Sequence, residues 1–331
     1  MLKPWVGPRP ILITARKGYD KSMQFWALII DSFRESIDRK IFWVMLIIEL
    51  IVGAAMFCLS FEPGKIDILF GVWTVETDYF TALSGLRHDK IATIAVSGVM
   101  DVVLGWIGVA LAIVATAGFF PSLLERGAID VLLSKPISRA RLFLGKYVGS
   151  MAFVLLHAVF FVVLTFLIMG VRWGSWLPGY LLSIPLLVLL FSYIYCISAW
   201  AGVRFRSATV AINLSVGMWI IFAGIQGIGN LFETFPEWKK NRLAYNASIV
   251  ARWIVPKTQD ITYLAGKWSG AAVSTELVPE IEEGDRSAME RAGQAELERM
   301  SLNPVYTIGS SLVFELVVIA FAIWRFSRND Y

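Results

Sequence analysis

The stretch "PSLLERGAIDVLLSKPISRARLFLGKY", residues 121–147, breaks an apolar chain with two acids, five bases, two prolines and two glycines. Long apolar runs lie on either side of it, at about 91–120 and 147–171. A helix needs about 20 mostly apolar residues to cross a hydrocarbon core. Four more runs meet that length: 41–61, 176–203, 208–228 and 305–324. The expected fold is therefore all-α, a polytopic membrane protein with six transmembrane helices. Composition agrees, at 57% hydrophobic and 17% charged residues, the latter below the roughly 25% typical of soluble domains.

The charges also predict an orientation, because lysines and arginines flanking spans tend to stay in the cytoplasm. Lys plus Arg outnumber Asp plus Glu by 8 to 4 in residues 1–40 and by 5 to 2 in residues 121–146. Arg204 and Arg206 stand without acids in their short loop, and the tail beyond Trp324 holds two bases and one acid. The alternate segments are acidic, 3 bases to 5 acids in 62–90 and 9 to 11 in 229–303. Only Arg172 runs against this pattern. Both termini and the 121–147 stretch are expected to face the cytoplasm.

These runs divide the chain into a cytoplasmic amino terminus (1–40), five spans with a cytoplasmic loop at 121–146 (41–228), an extracytoplasmic segment (229–303) and a sixth span with a cytoplasmic tail (304–331). In the first part, Trp26, Ile30, Phe33 and Ile37 recur at helical intervals opposite Asp31, Arg34, Glu35 and Asp38. That stripe predicts a helix lying in the membrane interface. The first half of 229–303 is rich in aromatics, including Trp238, Tyr245, Trp253 and Trp268, which favour the membrane boundary. In its second half Ser287 and Glu290 have capping-box spacing for a helix near 288–300. No removable signal peptide is expected, since the first twenty residues lack an apolar core. No repeat of 20 to 50 residues is visible.

Within the interrupting stretch, Ser122 and Glu125 again have capping-box spacing, so a helix is predicted to begin there. Leu124, Ala128, Val131 and Leu132 fall on one side of it, with Glu125, Arg126 and Asp130 elsewhere. Pro136 ends it, because the residue before a proline is pushed out of helical geometry. Ser138 is placed to cap a second helix running through Arg139, Arg141 and Lys146 into the third span. A short cytoplasmic helix with an apolar face must bury that face on lipid or in a partner's groove. Its acids, Glu125 and Asp130, suit an anionic inner leaflet poorly and favour the partner.

Residues 123–147 resemble the first cytoplasmic loop of type-two ABC transporter permeases. That pattern is an acid-x-G-small-x-acid helix, then L-L-x-x-P-[IV]-S-R, then an apolar pair before G-K. Glu125, Gly127, Asp130, Leu132, Leu133, Pro136, Ile137, Ser138, Arg139, Gly145 and Lys146 occupy those positions. The variant is most similar to permeases associated with nitrous-oxide-reductase maturation and gliding motility, and "WIVPKTQD" (253–260) is similar to a segment before their last span. The resemblance implies a permease of the inner (plasma) membrane that works as a dimer of membrane subunits, here a homodimer, beside two ATPase subunits. Residues 125–133 would be the coupling helix seated in an ATPase cleft and 136–139 its elbow. Gly145 and Gly149 would permit close helix approach where the third span begins.

Other motifs are weaker. No G-x-x-x-x-G-K-[ST] occurs, since Ala140 and Tyr147 stand where Gly145-Lys146 would need a glycine and a serine or threonine. ATP and Mg are therefore expected on a partner chain, with no cofactor and no catalysis here. The importer-type E-A-A loop is also absent, so export, or work on an outer partner protein, is expected. Glu49, Asp101, His157 and Glu315 lie within apolar runs, where ionisable groups face a cavity, a partner or the bundle interior. Glu49 and Glu315 fit a polar path and a neutral structural tie equally, and His157 is read as packed. His88 and His157 lack ligand spacing, so no metal site is expected. Cys58 and Cys196 make no disulfide framework, Asn246-Ala-Ser248 is a bare sequon match, and bases beside spans suit lipid rather than nucleic acid. Two other functions stay open from physics alone: an ion-coupled secondary transporter using Glu49, Asp101 and Glu315, and a membrane scaffold recruiting an extracytoplasmic enzyme.

Overall fold

The structure, a computed structural model, describes residues 40–62, 65–76, 99–125, 138–269 and 303–328, together with residues 30 and 37. Six helices among them are long and apolar enough to cross a membrane. The first span is α1, Lys40–Cys58. The second is composite: a π-helical stretch, Val99–Gly108, runs on as α2, Val109–Thr116, and then α3, Phe119–Leu123. The third, α4, is Arg139–Trp173. A 3-10 turn at Pro178–Leu182 leads into α5, Ser183–Phe205, and α6 follows at Ala208–Thr234. After a second 3-10 turn, Pro236–Lys240, come α7, Arg242–Ile254, and α8, Thr258–Ser269. The sixth span is α9, Pro304–Arg328. The protein is an all-α polytopic membrane protein, as its apolar runs predict.

The helix limits follow local chemistry. α4 has 35 residues, about 52 Å at about 1.5 Å each, against a hydrocarbon core of about 30 Å. Its first two turns, the basic ones, therefore precede the apolar run that begins at Tyr147. Ser138 caps it as expected, accepting a hydrogen bond from the Arg141 amide at 3.4 Å. The other end closes at Gly174, whose φ of +67° only glycine adopts cheaply, with the Gly174 and Ser175 amides both donating to the Met169 carbonyl. Pro185 sits in the first turn of α5, where a missing amide costs no intrahelical bond. α5 and α6 are joined by Arg206 and Ser207 alone, with the Ser207 hydroxyl capping α6 at the Val210 amide. So short a turn leaves the two helices antiparallel neighbours.

Three sequence expectations are corrected by the backbone. The first span ends at Cys58 rather than 61, because residues 59–62 turn into a strand. That strand, β1 (Leu59–Glu62), pairs antiparallel with β2 (Lys65–Ile68), which pairs with β3 (Trp73–Glu76). The sheet is short, and its alternation is hidden by flanking apolar residues. Second, no helix begins at Ser122. Ser122 lies inside α3, its hydroxyl donates back to the Phe119 carbonyl at 3.1 Å, and Leu124 is already the C-cap. The S-x-x-E spacing there marks a helix end, since α3 continues the second span for one more turn. Third, the aromatic half of 229–303 is not one surface segment, since part of it packs against the spans. α7 buries none of its residues, but α8 packs into the bundle, burying Ile261, Leu264 and Ala265 against α5, the Pro178–Leu182 turn and the Val99–Gly108 stretch.

The core is aromatic at one end. Phe119, Phe120, Phe143, Phe153, Phe191, Tyr195 and Phe326 are almost fully buried and meet ring to ring between α3, α4, α5 and α9. Here the second and fourth spans approach closely at Gly202, where a Cβ would stand 3.0 Å from that of Phe120 and 3.1 Å from Cδ of Pro121. Arg139 reaches the Ser327 carbonyl at the end of α9 (3.3 Å). The starts of α4 and α6 and the ends of α3, α5 and α9 thus share one end, with Arg139, Arg141, Arg204, Arg206, Arg325 and Arg328. The opposite end holds α8, and there the Trp173 indole donates to the Leu59 carbonyl (3.0 Å).

Candidate functional site

The predicted docking loop leaves the bundle between two fixed points. On one side Leu123 and Leu124 are buried while Glu125 is exposed. On the other, Ser138 is exposed and Leu142 and Phe143 are buried. Residues 126–137 lie outside the described residues, and with them Arg126, Gly127, Asp130, Leu132, Leu133 and Pro136. Arg139 is tied to the end of α9, as given above. Gly145 and Lys146 are buried, and the Lys146 ammonium stands 5.9 Å from the centre of the Phe119 ring. Lys146 therefore belongs to the packed junction between α3 and α4 and is not an exposed recognition charge. The close approach expected at Gly145 and Gly149 has a clear counterpart at Gly202, on a different helix. No local motif marks Gly202, because its role depends on which helix lies opposite.

The intramembrane groups fall into two clusters. Glu315 on α9 is 7% exposed and accepts from the Tyr147 hydroxyl (2.8 Å) on one oxygen and from the Ser192 hydroxyl (2.9 Å) on the other. One carboxylate thus joins the third, fourth and sixth spans. Nearby, the Ser150 and Tyr195 hydroxyls share a 2.7 Å hydrogen bond. Glu49 on α1 meets His157 on α4, Oε1 to Nδ1 at 2.9 Å, and the imidazole is flanked by the rings of Phe42 and Phe153. His157 is packed, but it is packed as the partner of Glu49. Asp101 falls in the π-helical stretch, ahead of the Gly105–Leu123 span, and its side chain lies outside the described residues. The interfacial helix through Trp26 and Phe33, the helix near 288–300 and His88 also lie outside them.

Polar groups that the sequence reading passed over hold α8 in place. Gln226, buried in α6, donates to the Pro256 carbonyl (2.8 Å) and accepts from the Gln259 amide (2.9 Å). The Lys257 amide donates to the Ser311 hydroxyl (2.9 Å), and its ammonium donates to the Ser310 hydroxyl (2.7 Å) and lies 4.5 Å from the centre of the Tyr306 ring. Burial pushes the Lys257 ammonium down from its ordinary range, Arg252 adds to the shift, and Asp260 opposes it. These contacts fix the "WIVPKTQD" segment against the fifth and sixth spans. Its proline and acid were the only signal available from sequence.

A family model described as an ABC-2 family transporter protein matches residues 26–331. The chain belongs to that family. No curated protein matches it at a significant level. Membership makes this ABC-2 chain a membrane permease subunit of an ABC transporter, in a family whose members work with an ABC ATPase. The match takes in the 121–147 loop, the Gly202 junction and the α8 segment alike.

Proposed function

We propose that this ABC-2 family member is the membrane subunit of an exporter, present as two identical copies with two ATPase subunits in the inner membrane. Residues 125–133 seat in the ATPase cleft, and ATP and Mg are held by that partner. Both termini face the cytoplasm on this reading, which the arginines gathered at one end of the bundle support. The observation that carries the proposal is mechanical. The loop is held between α3, seated on Gly202, and the first turns of α4, tied to α9. Close-packed interiors transmit displacement instead of absorbing it, so a force on the loop reaches the second, third, fourth and sixth spans together.

The opposite end fits the same cycle. α8 fills the mouth between α5, α6 and α9, which corresponds to an outer-closed packing, and opening requires the Gln226 and Lys257 contacts to part. On this reading an outer partner protein would engage the extracytoplasmic segment 229–303. Replacing Glu125 or Asp130 with lysine should lower ATPase co-purification at least tenfold while leaving the protein membrane-inserted and monodisperse. Unchanged co-purification of both variants would overturn the docking role.

A further inference from the structure

The three short strands make a sheet with two unlike faces. Directly opposed residues project to the same side, so Leu59, Ile68 and Trp73 form one row and Ser60, Asp67 and Thr74 form a row on the other face. The Thr74 hydroxyl donates to Asp67 at 2.9 Å and ties the polar row together. The apolar face runs on past the edge of the bundle. Leu59 and Ile68 are half-buried, whereas Trp73 is 67% exposed and Val75, on the same side of its strand, is exposed too. The turn joining β2 to β3 carries Leu69, Phe70 and Val72, all exposed, with Val72 at 72%. Its backbone holds Leu69 at φ +52°, Phe70 at +61° and Gly71 at +88°, a conformation that bulky residues rarely adopt and that clusters at functional positions.

The depth of this turn follows from what it touches. The Phe70 ring meets the Phe57 ring edge to face at 5.7 Å, and the Arg172 guanidinium lies 5.0 Å from the centre of Phe70. Phe57 is in the last turn of α1 and Arg172 in the last turn of α4. α1 has 19 residues, about 28 Å at about 1.5 Å each, against a hydrocarbon core of about 30 Å. Its last turn therefore cannot stand clear of the lipid, and Phe70, packed on it, lies at the membrane boundary. Trp173 and the exposed Trp176 share that end, as tryptophans do at such boundaries. Arg172, the one base against the charge pattern of the loops, is half-buried, and its Nε is buried with no hydrogen-bond partner. Among the described residues no acid pairs with it. An unpaired guanidinium at headgroup depth fits a phosphate, which its fork of donors can hold at two oxygens. We propose that the turn 69–72 enters the leaflet at the end of the bundle opposite the arginines, and that Arg172 binds the phosphate of a phospholipid there.

The first test compares phosphatidic acid with diacylglycerol, which differs only in lacking the phosphate, each with a diazirine on the same acyl chain. Both are photolysed with the full chain in maltoside micelles, and peptides covering 57–76 and 166–176 are quantified by mass spectrometry. Phosphatidic acid should label them about threefold to tenfold more, the range for a hydrogen bond within a membrane. R172M, which keeps a side chain on Phe70, should lose that excess. Equal labelling of the wild type by both lipids, labelling by neither, or an excess that survives in R172M overturns the proposal. The second test reads depth from a spin label at V72C in a C58A/C196A chain, reconstituted in phosphatidylcholine vesicles. The label should collide more with oxygen, which concentrates in lipid, than with a nickel chelate in the water. A label that the chelate reaches more readily, or one that neither reaches because a second copy or another protein covers the turn, also overturns it. If a variant does not stay monodisperse, the wild-type comparison of the two lipids decides. Neither test uses ATPase or nucleotide, and the turn lies at the far end from the 121–147 loop, so failure here leaves the permease reading intact.

Discussion

Removing the buried Glu315 carboxylate should cost less than removing the groups that hold it. In E315M the thioether side chain fills similar space, and both donors retain other acceptors. The Tyr147 hydroxyl lies 3.1 Å from the Ser192 carbonyl, and the Ser192 hydroxyl lies 2.8 Å from the Leu189 carbonyl. Donors that keep another acceptor avoid the cost of being left unsatisfied in the interior, so E315M should change stability by less than about 1 kcal/mol. In Y147F/S192A the carboxylate stays and loses both donors. A hydrogen bond to a charged group contributes about 1.5 to 3 kcal/mol in water, whereas pairs measured within membranes average about 0.6 and reach about 1.7 kcal/mol. The double variant should therefore lose about 2 to 3 kcal/mol. Adding E315M to it should restore most of that loss. Unfolding in mixed micelles titrated with dodecyl sulfate, followed by the fluorescence of the 13 tryptophans, gives the four values of the cycle. If E315M proves more damaging than Y147F/S192A, the carboxylate is not a structural tie of the kind described. A transport defect in a stable E315M would instead assign it work in the cycle.

Further outcomes follow from the junctions at each end. G202A places a methyl group against Phe120 and Pro121, and overpacking of this kind costs about 1 to 3 kcal/mol; the same unfolding titration reads it, and ATPase co-purification should fall with it. Q226L removes the bonds to Pro256 and Gln259, so limited proteolysis should cleave within 255–269 faster while the remaining spans stay resistant. Lys257 is held below its ordinary range in the folded protein, so the unfolded chain binds the extra proton as pH falls through the alkaline range. Wild-type stability should accordingly rise with pH toward the ordinary lysine value, and K257M should flatten that rise in thermal unfolding at several alkaline pH values.

Much of the membrane architecture is legible one run at a time, because lipid requires each spanning segment to satisfy its own backbone. The Ser138 cap and the basic entry into α4 are local for the same reason. The Ser122 error shows the limit of local reading: a serine and a glutamate three apart fit a helix start, but whether the preceding helix has already ended depends on tertiary packing. Glu49 and His157 stand 108 positions apart, and no periodicity connects them.

What the sequence by itself determined is where the chain can cross the membrane, which end gathers the arginines, and which loop resembles the first cytoplasmic loop of the family. These depend on hydropathy, charge and short motifs, properties of contiguous residues. Only the tertiary structure decided that Glu315 is held by Tyr147 and Ser192, that Gly202 seats α3, that α8 packs against α5, and that Glu49 and His157 face a cleft with one open atom each. Those facts depend on which helix faces which, and facing is set by close packing among residues far apart in the chain.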